Sequence, residues 1–264
     1  MTGIVPRLAL RGGTRDAPSN RIHAMSPRKS DPKARQSLIE VGARLLAEGG
    51  PSALSARRVA AEAGGSTMGV YTHFGGMRGL VREIVYEGFS RLQNHMTGVA
   101  KTDDPVADMA MLGHAYRYNA QSNSHLYAVM FGGLSLAGFS LSDNDRQHGR
   151  YTLSNVVECA SRCVAAGRFS PLDADLIAHQ MWFATHGLVT LELGNYLVEP
   201  WDADRCFEMQ LVRLMIGAGD TPERAARSVA RARMRFDAEF LGRSGPAVPE
   251  PGSEARSPGC LCER

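Results

Sequence analysis

The segment from Leu54 to Phe74, LSARRVAAEAGGSTMGVYTHF, restricts the possible folds more than any other part of the chain. Ser55 suits an N-cap, and the helix-forming run behind it ends at Ala63 before Gly64-Gly65. A second short helix is expected from about Thr67 to Phe74, stopped by Gly75-Gly76. Two short helices joined by a glycine-containing turn of three to four residues are a helix-turn-helix, whose second helix is sized for a major groove about 12 Å wide. Val59, Ala60 and Ala63 on the first helix, with Val70 and Phe74 on the second, supply the small apolar contact that fixes the angle between them. Compact helical proteins also contain ordinary short helix pairs, so spacing alone does not decide what the pair does.

The flanking sequence is helical too. Asp31 and Pro32 form a start signal, Leu38, Val41, Leu45 and Leu46 line one face, and Gly49-Gly50-Pro51 is a stop. After Gly75-Gly76 a longer helix repeats Leu80, Ile84, Val85, Phe89 and Leu92 on one side. Further helices are expected over 104–122, 124–133, 143–168, 173–198 and 203–218, with a loop around Gly132-Gly133 and Gly138. Thr221-Pro222-Glu223 opens an Arg-rich helix to about Leu241. Strand alternation is absent, and the expected fold class is all-α.

Apolar runs in the C-terminal half are all broken by Gly, His, Gln or a charge, short of the roughly 18 residues of a membrane span. Cys159, Cys163, Cys206, Cys260 and Cys262 are odd in number and irregular in spacing, which fits a reducing cytoplasm rather than a disulfide framework. Charge is unevenly distributed. Residues 26–100 carry ten Lys/Arg against six Asp/Glu, whereas residues 101–220 carry eight against fourteen. A basic N-terminal module on an acidic body suits contact with a polyanion at one end. Residues 1–30 read as a disordered basic tail and 243–264 as a second disordered tail, and Met25, ahead of Ser-Pro-Arg-Lys-Ser-Asp-Pro, is a plausible translation start.

Ala63, Gly64, Ser66 and the closing Tyr71-Thr72-His73-Phe74 resemble the DNA-binding domain of TetR-family regulators, together with the helices before and after, over about residues 33–85. Trp182-Phe183-Ala184-Thr185-His186-Gly187 is similar to the Trp-His-Gly signature of one group of TetR-family C-terminal domains. The resemblance implies a three-helix DNA-binding domain with the helix-turn-helix over 31–92 and a larger helical ligand-binding and dimerisation domain over 93–220, to which the start signal at Thr221 adds an extra basic helix over 221–242. It also implies operator DNA, a second copy of the chain and a small-molecule effector as partners, while the broken apolar runs speak against a membrane.

The residues expected at DNA are Ser55, Arg57, Arg58, Ser66, Thr67, Met68, Gly69, Tyr71, Thr72, His73 and Arg78. No Lys or Arg lies between Arg58 and Arg78, so the bidentate Arg-to-guanine contact is missing from the second helix. Readout then falls to the hydroxyls and methyls of Thr67 and Thr72 and the thioether of Met68, with Tyr71, His73, Ser55 and the arginines on phosphates. Phe74 reads as core. Two positions depart from the family pattern: Gly65 stands where Val is usual, and Met77 where a phosphate-holding Lys is common.

For the ligand, Met109, Met111, His114, Tyr116, Tyr118, Tyr127, Met130, Phe131 and Phe139 form a Met- and aromatic-rich stretch that suits either a core or an adaptable pocket. Tyr118, Trp182 and His186 are the expected ligand contacts. His179 and His186 share a helical face, but no Cys or carboxylate completes a metal set. Cys159 and Cys163, and Cys260 with Cys262, could sense thiols or metals, but they read rather as buried small residues and part of the tail. Phosphate-binding glycine loops, nucleophile elbows and metal triads are lacking, so neither a catalytic residue nor a cofactor is expected. The competing function is a helical interaction protein that docks through the basic helix 222–241.

Overall fold

The computed structural model describes residues 31–131, 138 and 140–242. Both tails, the Met25 start, the loop at Gly132-Gly133, Phe139, Cys260 and Cys262 lie outside the described residues. Among the described residues the regular elements are all helical: α1 (Pro32–Ala53), α2 (Ala56–Glu62), α3 (Thr67–Phe74), α4 (Met77–Thr97), α5 (Pro105–Ser122), α6 (Ser124–Met130), α7 (Asp143–Thr152), α8 (Ser154–Ala165), α9 (Ala174–Leu193), α10 (Ala203–Gly217) and α11 (Pro222–Phe236), the last running into a π-helical turn (Asp237–Leu241).

Start signals act as expected. Asp31 accepts from the Lys33 N–H at 2.9 Å ahead of Pro32, and Thr221 caps the helix begun by Pro222. The glycine stop is softer than the sequence implies: Gly50 turns to φ 64°, yet Pro51 resumes one further turn before Leu54. Two long helices were expected where the chain breaks or ends early. Residues 143–168 divide at Leu153, where the Thr152 hydroxyl donates back to the Gly149 carbonyl at 2.6 Å and Ser154 to Tyr151 at 2.7 Å. Side-chain bonds of this kind compete with the helical ladder. Helix α9 stops at Leu193, because Gly194 and Asn195, the latter at φ 58°, turn the chain away.

Helices α1 and α4 bury Leu38, Ile39, Leu45 and Leu46 against Leu80, Ile84 and Val85. They approach closely at Gly42, where a β-carbon would lie 2.8 Å from Ile84 Cδ1. Helix α4 continues into the second half of the molecule, where α5 runs through the centre with most of its side chains buried.

Apart from His114 Nε2, the buried polar groups on α5 are paired, as a low-dielectric interior requires. Arg117 donates two bonds to Glu192 on α9, at 2.7 and 2.6 Å, and a third to Asp204 on α10. Asp108 accepts from Thr102 and pairs with Arg162 and Arg235. Although burial works against ionisation, these donors hold the Asp108 carboxyl below the usual carboxylate range.

Helix α11 corrects the docking-arm expectation for residues 222–241. Its apolar face, Ala225, Val229 and Ala232, is buried against α5. Arg235 reaches Asp108, Arg231 reaches Asp104, and Arg233 reaches Glu208. Arg235 is thus largely buried, Arg233 is half-buried and Arg231 is paired at an exposed position, and the helix braces α5.

Candidate nucleic-acid interface and internal cavity

Helices α2 and α3 meet through buried Val59, Ala60, Val70 and Phe74. Gly64 supplies the left-handed residue of the turn, at φ 69°. Phe74 is held from behind by the Arg35 guanidinium, 5.7 Å over its ring, and Arg35 pairs in turn with Glu83. This packing turns the opposite side of α3 outward. Met68 and Tyr71 are 68% and 58% exposed, large values for such side chains, and Ser66, Thr67 and Thr72 stand beside them. Gly69 and His73 are half-buried at the edge of this face.

Charge at its borders is unevenly available. Arg57 and Arg78 are exposed, with no ion pair among the described residues, whereas Arg58 bonds Glu62 at 2.8 Å and Glu62 is shared with Arg44. Ser55 accepts from the Arg58 N–H at 3.3 Å as the cap of α2, while the Ser66 side chain makes no cap bond. Met77 is half-buried against the core and offers nothing to a phosphate.

A cavity of about 760 Å³ lies in the second half of the molecule, walled by α4, α5, α7, α8 and α9. Leu92, Met96, Met109, Phe131, Met181 and Trp182 give it an apolar lining. Beside it the Tyr116 hydroxyl lies 3.0 Å from His186 Nδ1 and 3.2 Å from the Tyr127 hydroxyl, which is itself 2.8 Å from the same nitrogen. Burial pushes the Tyr127 hydroxyl up to about 12 and holds the His186 imidazole below its ordinary value, so all three groups are neutral at pH 7.

Residues 38–84 match the family described as bacterial regulatory proteins, tetR family, and residues 109–214 match the tetracyclin repressor-like C-terminal domain. The chain belongs to the TetR family. Solved structures agree at the level of the fold. A fatty acid degradation regulator, FadR, from Bacillus halodurans superposes with a TM-score of 0.61 at 16% identity, covering 74% of this chain and all of that one. PfmR, a TetR-family transcriptional regulator from Thermus thermophilus, gives 0.55 at 19% identity, covering 71% and 96%. A protein of unknown function from Rhodococcus sp. RHA1 gives 0.59 at 23% identity, covering 76% and 100%. No curated protein matches the sequence.

In this TetR-family regulator most of the helix-turn-helix residues named from sequence are exposed, Gly69 and His73 are half-buried, and Arg58 is tied to Glu62. The ligand residues divide. Trp182 lines the cavity and His186 sits behind Tyr116, whereas Tyr118 packs on Phe236 and Phe240, on the side of α5 that faces α11. His179 lines the cavity mouth with its Nδ1 on the Asp175 carbonyl, and His186 is engaged by tyrosines, so the two histidines do not converge. Sequence reasoning missed α7 as a cavity wall and Thr185 as a buried hydroxyl in the lining. The only signal for α7 was its position just after the Met- and aromatic-rich stretch.

Proposed function

We propose that this TetR-family chain is a ligand-responsive repressor, in which a homodimer sets two copies of α3 on a palindromic operator and a small molecule in the cavity releases them. One recognition helix spans only a few base pairs, so useful specificity needs two, about 34 Å apart. The dimer reading is supported by an uncovered apolar face: Leu176, Phe183 and Leu191 on α9 and Met209 on α10 are exposed, and open space faces Gly187 and Gly217. A four-helix contact built on this face with a second copy of the chain is our reading.

The observation that carries the release step is that α7, a wall of the cavity, rests on α4, the helix that packs against α3 and α1. A ligand that favours one position of α7 thereby favours one position of α4, and lowers DNA affinity by its differential affinity for the two states. The work would be done in the cytoplasm; no helix of the described residues is long and apolar enough to cross a membrane.

Footprinting on DNA upstream of the chain's own and neighbouring genes, with light scattering on the same sample, tests this. Two protected half-sites with dyad symmetry and a mass twice 28.6 kDa are expected. A monomer that protects no site would overturn the proposal.

A further inference from the structure

We propose that the cavity takes an uncharged, mainly apolar molecule bearing a hydrogen-bond-acceptor oxygen, and that the Tyr116 hydroxyl reads that oxygen. The inference rests on the reading of the cavity as the effector site and names the class of effector. Charge is the first discriminator. Arg146, Arg150, Glu158 and Asp175 border the cavity but are all exposed, so their heads stay in water at its mouth, two of each sign. The buried polar side chains in the lining, among the described residues, are Tyr116, Thr152 and Thr185, none of which is charged. An ionised group inserted there would lose its hydration without gaining a counter-charge.

Thr185 adds a second hydroxyl to the lining, and Tyr116 is the candidate because its cluster holds more protons than close acceptors. The Thr152 hydroxyl is spent on the Gly149 carbonyl at 2.6 Å. Neutral His186 has one acceptor nitrogen, and with Nδ1 as that nitrogen the nearer Tyr127 hydroxyl, at 2.8 Å, satisfies it. The Tyr116 proton is then left with two longer alternatives, 3.0 Å to the same nitrogen and 3.2 Å to the Tyr127 oxygen. It is the surplus donor of the cluster, on a side chain that lines the cavity. A ketone, ester or lactone oxygen would accept it without breaking the bond between Tyr127 and His186.

The test uses the full chain at pH 7 with N-phenyl-1-naphthylamine as a fluorescent occupant; the energy transfer that Trp182→Phe removes reports the dye in the cavity. Decan-2-one is expected to displace it at a concentration at least about tenfold below that of decanoate or decylamine. The carbonyl stretch of the bound ketone should move to lower wavenumber. Tyr116→Phe should weaken the ketone about tenfold, leave the dye in place, and return the stretch to its value in an apolar solvent. Decanoate or decylamine competing as well as the ketone, or a stretch indifferent to Tyr116→Phe, overturns the ligand class, and the wild-type ranking decides the matter even if that variant fails to fold. Dye that does not enter the cavity overturns this inference and the effector reading together. Ketone that binds as expected without releasing DNA supports the inference and overturns only the repressor reading.

Discussion

The Tyr86 hydroxyl on α4 donates to Asp145 Oδ1 on α7 at 2.5 Å, and the Tyr86 ring stacks on His148 with 4.0 Å between centroids. Asp145 also accepts from Ser142, so the start of α7 is fixed to the helix that adjoins the DNA-reading pair. Burial opposes the charge, but the Tyr86 and Ser142 bonds outweigh it and hold the Asp145 carboxyl below its ordinary value. Tyr86→Phe keeps the ring stack and removes the tie. DNA affinity without ligand and dye affinity without DNA should both stay within about threefold, while the coupling between them, typically 1–3 kcal/mol in such systems, should fall by about 1 kcal/mol. Fluorescence anisotropy of labelled operator with and without the dye reads the difference, and unchanged coupling would falsify the role given to α7.

Stability should decline between pH 6.5 and 4 because of His114. Its ring stacks on Phe236 and meets Phe207 edge-on, its Nε2 has no hydrogen-bond partner, and it is 2% exposed. Desolvation first, then Arg233 and Arg117, against a smaller pull from Asp237 and Asp204, lowers its pKa to about 4. The unfolded chain, with an ordinary His near 6.5, binds the proton first as pH falls, so stability is full above about 6.5 and lost on the way down to 4. The loss amounts to about 3 kcal/mol. His114→Leu removes the titrating group, and urea unfolding at a series of pH values should show a flatter profile for the variant over that window.

The helix-turn-helix was legible because it is built from local signals: a cap at Ser55, a glycine at φ 69°, and apolar residues at fixed spacing. Charge at its border was legible only in part. Arg57 and Arg58 are adjacent in sequence, and the tie that separates them runs through Glu62 to Arg44 on another helix. The same limit explains Tyr118. It lies two residues from Tyr116 on α5, so the helical repeat turns it to a different face, and which face met the cavity depended on α11 covering the other. The pairing of Arg231, Arg233 and Arg235 was hidden for a like reason, since their carboxylate partners at the cap of α5, on α5 and on α10 lie far away in sequence.

Phe183 is 59% exposed on α9, beside open space at Gly187. Phe183→Glu places a charge on the proposed contact while leaving the monomer core untouched. Light scattering should show the mass halved, with helical content unchanged by circular dichroism, and operator affinity should fall at least about a hundredfold because one α3 then binds alone. A stable dimer in this variant would move the interface elsewhere.

Two adjacent glycines in the turn should respond oppositely to Ala. At Gly64, φ 69° strains any other residue, whereas Gly65 is free of that constraint and a β-carbon there would meet only the Ala60 carbonyl at 3.9 Å. Gly65→Ala should stabilise by about 0.4–1 kcal/mol through the unfolded state, raising Tm by about 1–3 °C, and Gly64→Ala should lower it. Calorimetric melts of the two variants separate these cases, and a rise for Gly64→Ala would contradict the turn geometry.

DNA binding should divide between charge and shape at the two borders of α3. Arg57 and Arg78 have no ion pair to break among the described residues, so each Ala substitution should weaken specific and random DNA alike and reduce the salt slope by about 0.9. Arg58→Ala should cost less, because its guanidinium must first leave Glu62, whose carboxyl is held below the ordinary range by Arg58 and Arg44. Thr72, exposed on the face that α3 turns outward, carries no charge, and Thr72→Ala should leave the salt slope unchanged while costing about 1 kcal/mol on the operator alone. Binding isotherms over a salt series, on operator and on random sequence, distinguish the two classes. If all four variants lost affinity equally on both DNAs, α3 would not be the element that reads sequence.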